Sequence, residues 1–189
     1  MAGLLSLNKE RVMLSKDTPA VQVPEGTETV LEEGLEVVIL QELGGDFTVR
    51  GLGGRMFRID GEYAKSLGRE PPRQEGLQLL NEAGGEVTDE VIWGQLRMCY
   101  DPEIPVNIVE LGLIYTMKLT PTESGGKRVD ITMTLTAPGC GMGQVIADDV
   151  KRKVEKLASV EEAAVELVFD PPWSPALMSE AARLATGMM

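Results

Sequence analysis

One stretch of this 189-residue chain leaves little freedom in how it folds. Val129, Ile131, Met133 and Leu135 alternate with Asp130, Thr132, Thr134 and Thr136, a strict period of two that predicts a strand with one apolar face. That strand runs directly into Ala137-Pro138-Gly139-Cys140-Gly141-Met142-Gly143, where the glycines break the extended chain. Beyond the bend, Met142, Ile146, Val150, Val154 and Leu157 fall on one helical stripe with charges on the other side. Val160–Phe169 then predicts a further strand, ended by Asp170-Pro171-Pro172-Trp173. A strand–helix–strand run of this length suits a crossover between parallel strands.

The flanking segments extend the pattern. Thr88 can cap a helix whose first turn carries Asp89 and Glu90 at the positive end of the helix dipole. Ile92, Leu96 and Cys99 recur on one stripe of that helix, which must stop near Tyr100 because Pro102 disfavours helix at Asp101. Leu113–Leu119 predicts a strand, with a hairpin loop over Thr120–Lys127. Ser174 can cap a last helix with Pro175 at its first position. Residues 87–189 thus read as an α-β-β-α-β-α domain with a three-stranded mixed sheet. Residues 1–70 read as a small β-rich domain, with a hairpin through Leu43-Gly44-Gly45-Asp46, a strand at Arg55–Ile59 and a short helix around Gly61–Leu67. An SH3-like barrel is the expectation there. Residues 71–86, with Pro71-Pro72 and Gly84-Gly85, read as a linker. The fold class is α+β.

Composition narrows the function. With 18 basic against 30 acidic side chains the net charge is −12, which repels phosphate backbones and argues against nucleic acid. An apolar share of 43% is that of an ordinary globular protein, and the longest apolar run, Val37–Leu40, is far too short to span a bilayer. There is no histidine, which removes Ser-His-Asp and Cys-His catalysis and His-ligated metal sites within the chain. Two cysteines are too few for a disulfide framework or a four-thiolate site. The opening residues carry no basic, long apolar leader, so a cytoplasmic location is expected. Gly51-Leu52-Gly53-Gly54 matches neither a dinucleotide fingerprint nor a P-loop and reads as turn glycines.

Cys140 is the best candidate for reactivity. It lies where a strand hands over to a helix N-terminus, whose free N–H groups and dipole favour a thiolate, the form that ligates metals and attacks electrophiles. The bland alternative is a small buried side chain at a turn. Cys99 continues an apolar stripe and is expected in the core, although it could approach Cys140 for a disulfide or shared ligation. Asp101-Pro102-Glu103-Ile104-Pro105-Val106-Asn107 holds two carboxylates in a stiff segment, or is simply a capped turn. Lys151-Arg152-Lys153 reads as a solvated helix face.

Three segments in order, Asp101 through Tyr115, Thr134 through Gly143 and Phe169 through Trp173, resemble the PaaD-like domain of iron–sulfur maturation factors. The resemblance covers about residues 86–187. It implies an auxiliary factor, not an enzyme, that helps transfer or insert iron–sulfur clusters into client apoproteins. It makes Cys140 the reactive residue and Asp101, Pro102 and Glu103 a functional patch near it. On that reading a cluster or iron is held transiently by Cys140 in the bend of Gly139, Gly141 and Gly143. Asp101 or Glu103 would be oxygen ligands, at a site shared across a homodimer or with a client. The partners implied are iron–sulfur carrier or scaffold proteins and client apoproteins. Two alternatives stay open: a thiol redox protein using Cys140 and Cys99, and a metal-free adapter between client and carrier.

Overall fold

In the computed structural model of the chain, Gly44 and Gly45 sit at φ 63° and 81° between paired Leu43 and Asp46. This two-residue turn needs positive φ at both centres, which is why the Gly-Gly pair makes the predicted hairpin. The structure describes residues 10–23, 25–72, 74–101, 104–137 and 143–188. The chain divides into two units, Met1–Arg73 and Gln74–Met189.

In the first unit β1 (Glu10–Met13), β2 (Thr18–Val23), β3 (Thr27–Leu31), β4 (Glu36–Leu43), β5 (Asp46–Arg50) and β6 (Met56–Asp60) form one antiparallel sheet. Its order is β1-β4-β5-β6-β2-β3. Alternate side chains build the core: Val37 and Ile39, Phe47 and Val49, Phe57 and Ile59, with Leu14, Leu31 and Leu67. Phe57 takes the core face and Met56 the outside, at 41% exposed. Gly61–Leu67 forms a 3-10 helical segment, capped by the Asp60 carboxylate on the Glu62 N–H.

The expected SH3-like barrel does not close among the described residues. β1 and β3 end the sheet and do not pair with each other. Beyond Met13 the chain leaves the sheet: the Leu14 N–H donates to Leu35 and the Ser15 N–H to Ser66. Among the described residues β1 pairs only with β4 and β3 only with β2, so the sheet keeps two edges. β1, β2 and β3 themselves went unread in the sequence.

In the second unit α1 (Glu75–Glu82) occupies part of the stretch expected as linker and packs on α2 (Asp89–Leu96). Thr88 caps α2 as predicted, accepting the Val91 N–H at 3.4 Å. The helix ends at Leu96, earlier than Tyr100, and a turn follows. β7 (Ile114–Pro121), β8 (Lys127–Met133) and β9 (Val160–Leu167) form a mixed sheet in that order, β7–β8 antiparallel and β8–β9 parallel. α3 (Gly143–Glu155) provides the crossover and packs on β9.

One sheet face, carrying Leu119, Val129, Ile131, Met133, Ala163 and Val165, packs into a core with Ile92, Leu96, Ile146, Val150 and Val154. The other face is polar. There Arg128 bonds Asp130 at 2.9 Å and Glu162 at 2.9 Å, and Asp130 is thereby held below the usual carboxylate range. At the β7–β8 loop, Ser124 and Thr122 hydroxyls hold Glu161 below that range too. Pro175–Leu177 is a single 3-10 turn, and the last helix, α4 (Glu180–Thr186), is capped by Ser179 rather than Ser174.

Candidate functional site

The three segments singled out in the sequence all meet the sheet at one end. Leu113 enters β7, Thr134 leaves β8 and Val168 leaves β9. The Thr134 N–H donates to Leu113 at 2.8 Å and the Val168 N–H to Met133 at 2.9 Å, so the strands stay laced together to that edge. Residues carried on loops beyond the carboxyl ends of parallel strands are where sheets of this kind ordinarily place ligands.

The first segment is a loop closed at its base. Tyr100 and Asn107 form an antiparallel bridge, the Ile108 N–H donates to Cys99 at 2.9 Å, and the Asp101 N–H to Val106 at 3.3 Å. Asp101 is only 6% exposed, and its Oδ1 accepts the Ile104 N–H at 2.9 Å. The carboxylate therefore shapes the loop that carries Glu103, which agrees with the capped-turn reading. Asn107 does the same one turn later, accepting the Glu110 N–H at 2.9 Å.

The third segment clamps the first. The Trp173 indole N–H donates to Leu111 at 2.8 Å, the Tyr115 hydroxyl to Pro171 at 2.7 Å, and the Ser179 N–H to Glu110 at 2.9 Å. The Asp170–Pro171 bond is cis. Gly112, at φ +68°, lies so close to Leu177 that a Cβ would overlap its carbonyl oxygen. Only glycine suits both that φ and that approach.

Of the second segment, Pro138, Gly139, Cys140, Gly141 and Met142 lie outside the described residues, as do Pro102 and Glu103 of the first. Gly143 is described: it opens α3, buried, with the Leu135 side chain where a Cβ would go. Its smallness serves helix–strand packing. Cys99 is fully buried in the core, its thiol 3.9 Å from the Gln95 carbonyl oxygen. Among the described residues no three His, Cys, Asp or Glu side chains gather as a metal site.

Two features escaped the sequence reading. Lys153 is not on a solvated face: it is 5% exposed, and its Nζ reaches the Met98 carbonyl oxygen at 2.7 Å. Its spacing from Val150 and Leu157 puts it on the apolar stripe, a signal that the run of three basic residues obscured. Thr134 is 1% exposed and its hydroxyl has no hydrogen-bond partner among the described residues. A buried unpaired hydroxyl costs stability. Thr134→Val is therefore expected to stabilise the second unit by about 1 kcal/mol, read as a higher Tm in a thermal scan. A fall in Tm would mean that the hydroxyl is satisfied in solution.

Comparison with known proteins places likeness on the second unit. Residues 89–167 match the family described as iron-sulfur cluster assembly protein. The Fe-S protein maturation auxiliary factor of Porphyromonas gingivalis is 43% identical over 102 residues, which is 54% of this chain and 93% of that protein. The auxiliary factor YitW of Bacillus subtilis is 40% identical over 103 residues, 54% of this chain and 97% of that one. The auxiliary factor SufT of Staphylococcus aureus is 40% identical over 91 residues, 48% of this chain and 99% of that one. The first unit lies outside the family match.

Proposed function

Because this chain belongs to the iron–sulfur cluster assembly protein family, we propose that it is an auxiliary factor of iron–sulfur protein maturation. It passes iron or a cluster, its cargo, to client apoproteins through Cys140. The observation that carries this is the convergence of the three motif segments at one end of the β7-β8-β9 sheet. Cys140 follows β8 at that end and precedes α3 by three residues. A helix start favours a thiolate, and a thiolate is the ordinary protein ligand of a cluster.

The division of labour among the acidic residues follows from Asp101. Its buried carboxylate holds the turn at Ile104, and Glu103, inside that turn, is the oxygen donor offered to the cargo, with Asp101 as a second. One thiolate and these oxygens leave coordination incomplete, so a homodimer, a carrier or the client completes it. Open positions suit a factor that must release what it binds. The role is that of a carrier in the cytoplasm working with cluster scaffolds and clients, without a turnover of its own. No helix among the described residues is long and apolar enough to cross a membrane. The complete burial of Cys99 counts against the redox alternative, since a resolving thiol would have to leave the core.

The test is anaerobic reconstitution of the full chain with iron and sulfide, beside Cys140→Ser. Unmodified protein is expected to gain bound iron and charge-transfer absorption, and the serine variant to lose most of both. Equal iron and equal spectra would remove Cys140 as a ligand. Undiminished support of client enzymes by the serine variant would favour the metal-free adapter.

A further inference from the structure

We propose that Lys153 is a positioning residue for this maturation function: its buried ammonium ties α3, the helix after the Cys140 segment, to the base of the Asp101 loop. The proposal rests on the function proposed above. Lys153 Nζ sits 2.7 Å from the Met98 carbonyl oxygen and 3.1 Å from Asp149 Oδ2. Asp149 in turn holds Arg152 at 2.6 Å through its other oxygen. On the return side, the Gln95 side-chain amide donates to the Lys153 carbonyl oxygen at 2.8 Å. α2 and α3 are thus cross-linked twice, once through a side chain from each helix.

Met98 stands just past the end of α2, immediately before Cys99, whose carbonyl oxygen takes the Ile108 N–H at the base of the loop. The hydrogen bonds of that base continue to Asp101 and Val106. A cation at the end of a helix satisfies a carbonyl that the helix cannot. Here the cation comes from the other helix, so the direction in which the chain leaves α2 is set by α3.

Stability alone does not call for a lysine at this place. It lies on the stripe of Ile146, Val150, Val154 and Leu157, where an apolar side chain of similar length would pack. Replacing a buried charged pair by apolar residues is often neutral or stabilising. What an apolar residue could not do is hold the Met98 carbonyl oxygen.

The full chain is compared with Lys153→Met, with the pair Lys153→Met and Asp149→Leu, and with Cys140→Ser. Three quantities are read: Tm, amide hydrogen exchange at Asp101 and Ile104, and activity of client iron–sulfur enzymes in cells lacking their own factor. The pair variant also takes from Arg152 its partner at 2.6 Å and is expected to fold and to melt within a few degrees of the unmodified chain. Its exchange at Asp101 and Ile104 should rise about tenfold, and client activity should fall by a similar factor.

A pair variant that folds and supports clients fully would overturn the proposal. So would one whose clients suffer while the loop exchanges as before, since the effect would then not pass through the loop. A pair variant that fails to fold also overturns it, because the charges would then be there for stability. Cys140→Ser with full client activity would sink the function while leaving the exchange result to judge the coupling of α3 to the loop.

Discussion

Gly112→Ala is expected to cost the second unit about 3–5 kcal/mol, a large share of the roughly 5–15 kcal/mol that holds an ordinary domain folded. Two costs add at this position. A Cβ at φ +68° is strained wherever it occurs, and here it would also overlap the Leu177 carbonyl oxygen. That oxygen belongs to backbone, which cannot rotate away as a side-chain end can. Moving it displaces the segment that supplies the Trp173–Leu111 and Ser179–Glu110 hydrogen bonds, so the clamp on the first motif loosens with it.

Gly125→Ala is the control, because Gly125 has φ +91° but open space around it. It should cost only about 1–2 kcal/mol of conformational strain. Both tryptophans of the chain, Trp93 and Trp173, lie in the second unit. Urea unfolding followed by their fluorescence therefore reports that unit alone. A Gly112→Ala loss no larger than that of Gly125→Ala would show that Leu177 does not approach as closely in solution.

The two cysteines are expected to separate function from stability. Cys140→Ser exchanges one atom for a slightly smaller one, so it should move Tm by no more than a few degrees, and it should abolish restoration of client iron–sulfur enzymes in cells. Cys99→Ala should do the reverse. It is fully buried in the core cluster to which Leu96, Ile108 and Leu111 also belong, so truncation leaves a small void and costs about 1–2 kcal/mol. Client activity should survive at temperatures where the variant is folded. Loss of client activity in a folded Cys99→Ala protein would bring Cys99 into the chemistry and revive the paired-thiol mechanism.

How much was legible in the sequence differs from segment to segment for one reason. Where burial repeats at the period of a single element, the element announces itself. The alternation of Val129, Ile131 and Met133 marked β8, the Ile146–Val150–Val154 stripe marked α3, and Ile92–Leu96–Cys99 placed a thiol in the core. The length between β8 and β9 implied their parallel pairing, and the pairing is parallel. Short edge strands gave weaker signals. β1 has only four residues, β3 is mostly exposed, and β2 carries Pro19, which weakens a strand pattern, so the sequence pattern shows three of the six strands and the barrel expectation rests on too few. α1 was hidden because Pro71-Pro72 before it and Gly84-Gly85 after it resemble a linker, while its stability comes from packing on α2.

Taken alone, the order of residues determined the strand–helix–strand of the second unit and singled out Cys140 and the acidic segment as candidates, because those features rest on short spacings. Tertiary structure decided that the Lys153 ammonium meets the Met98 carbonyl oxygen, that Asp101 spends an oxygen on its own turn, and that Trp173 and Tyr115 clamp the loop before β7. Each of these depends on a carbonyl or amide, in some cases more than fifty positions away in the chain. Local periodicity carries no record of which backbone group a folded neighbour will present.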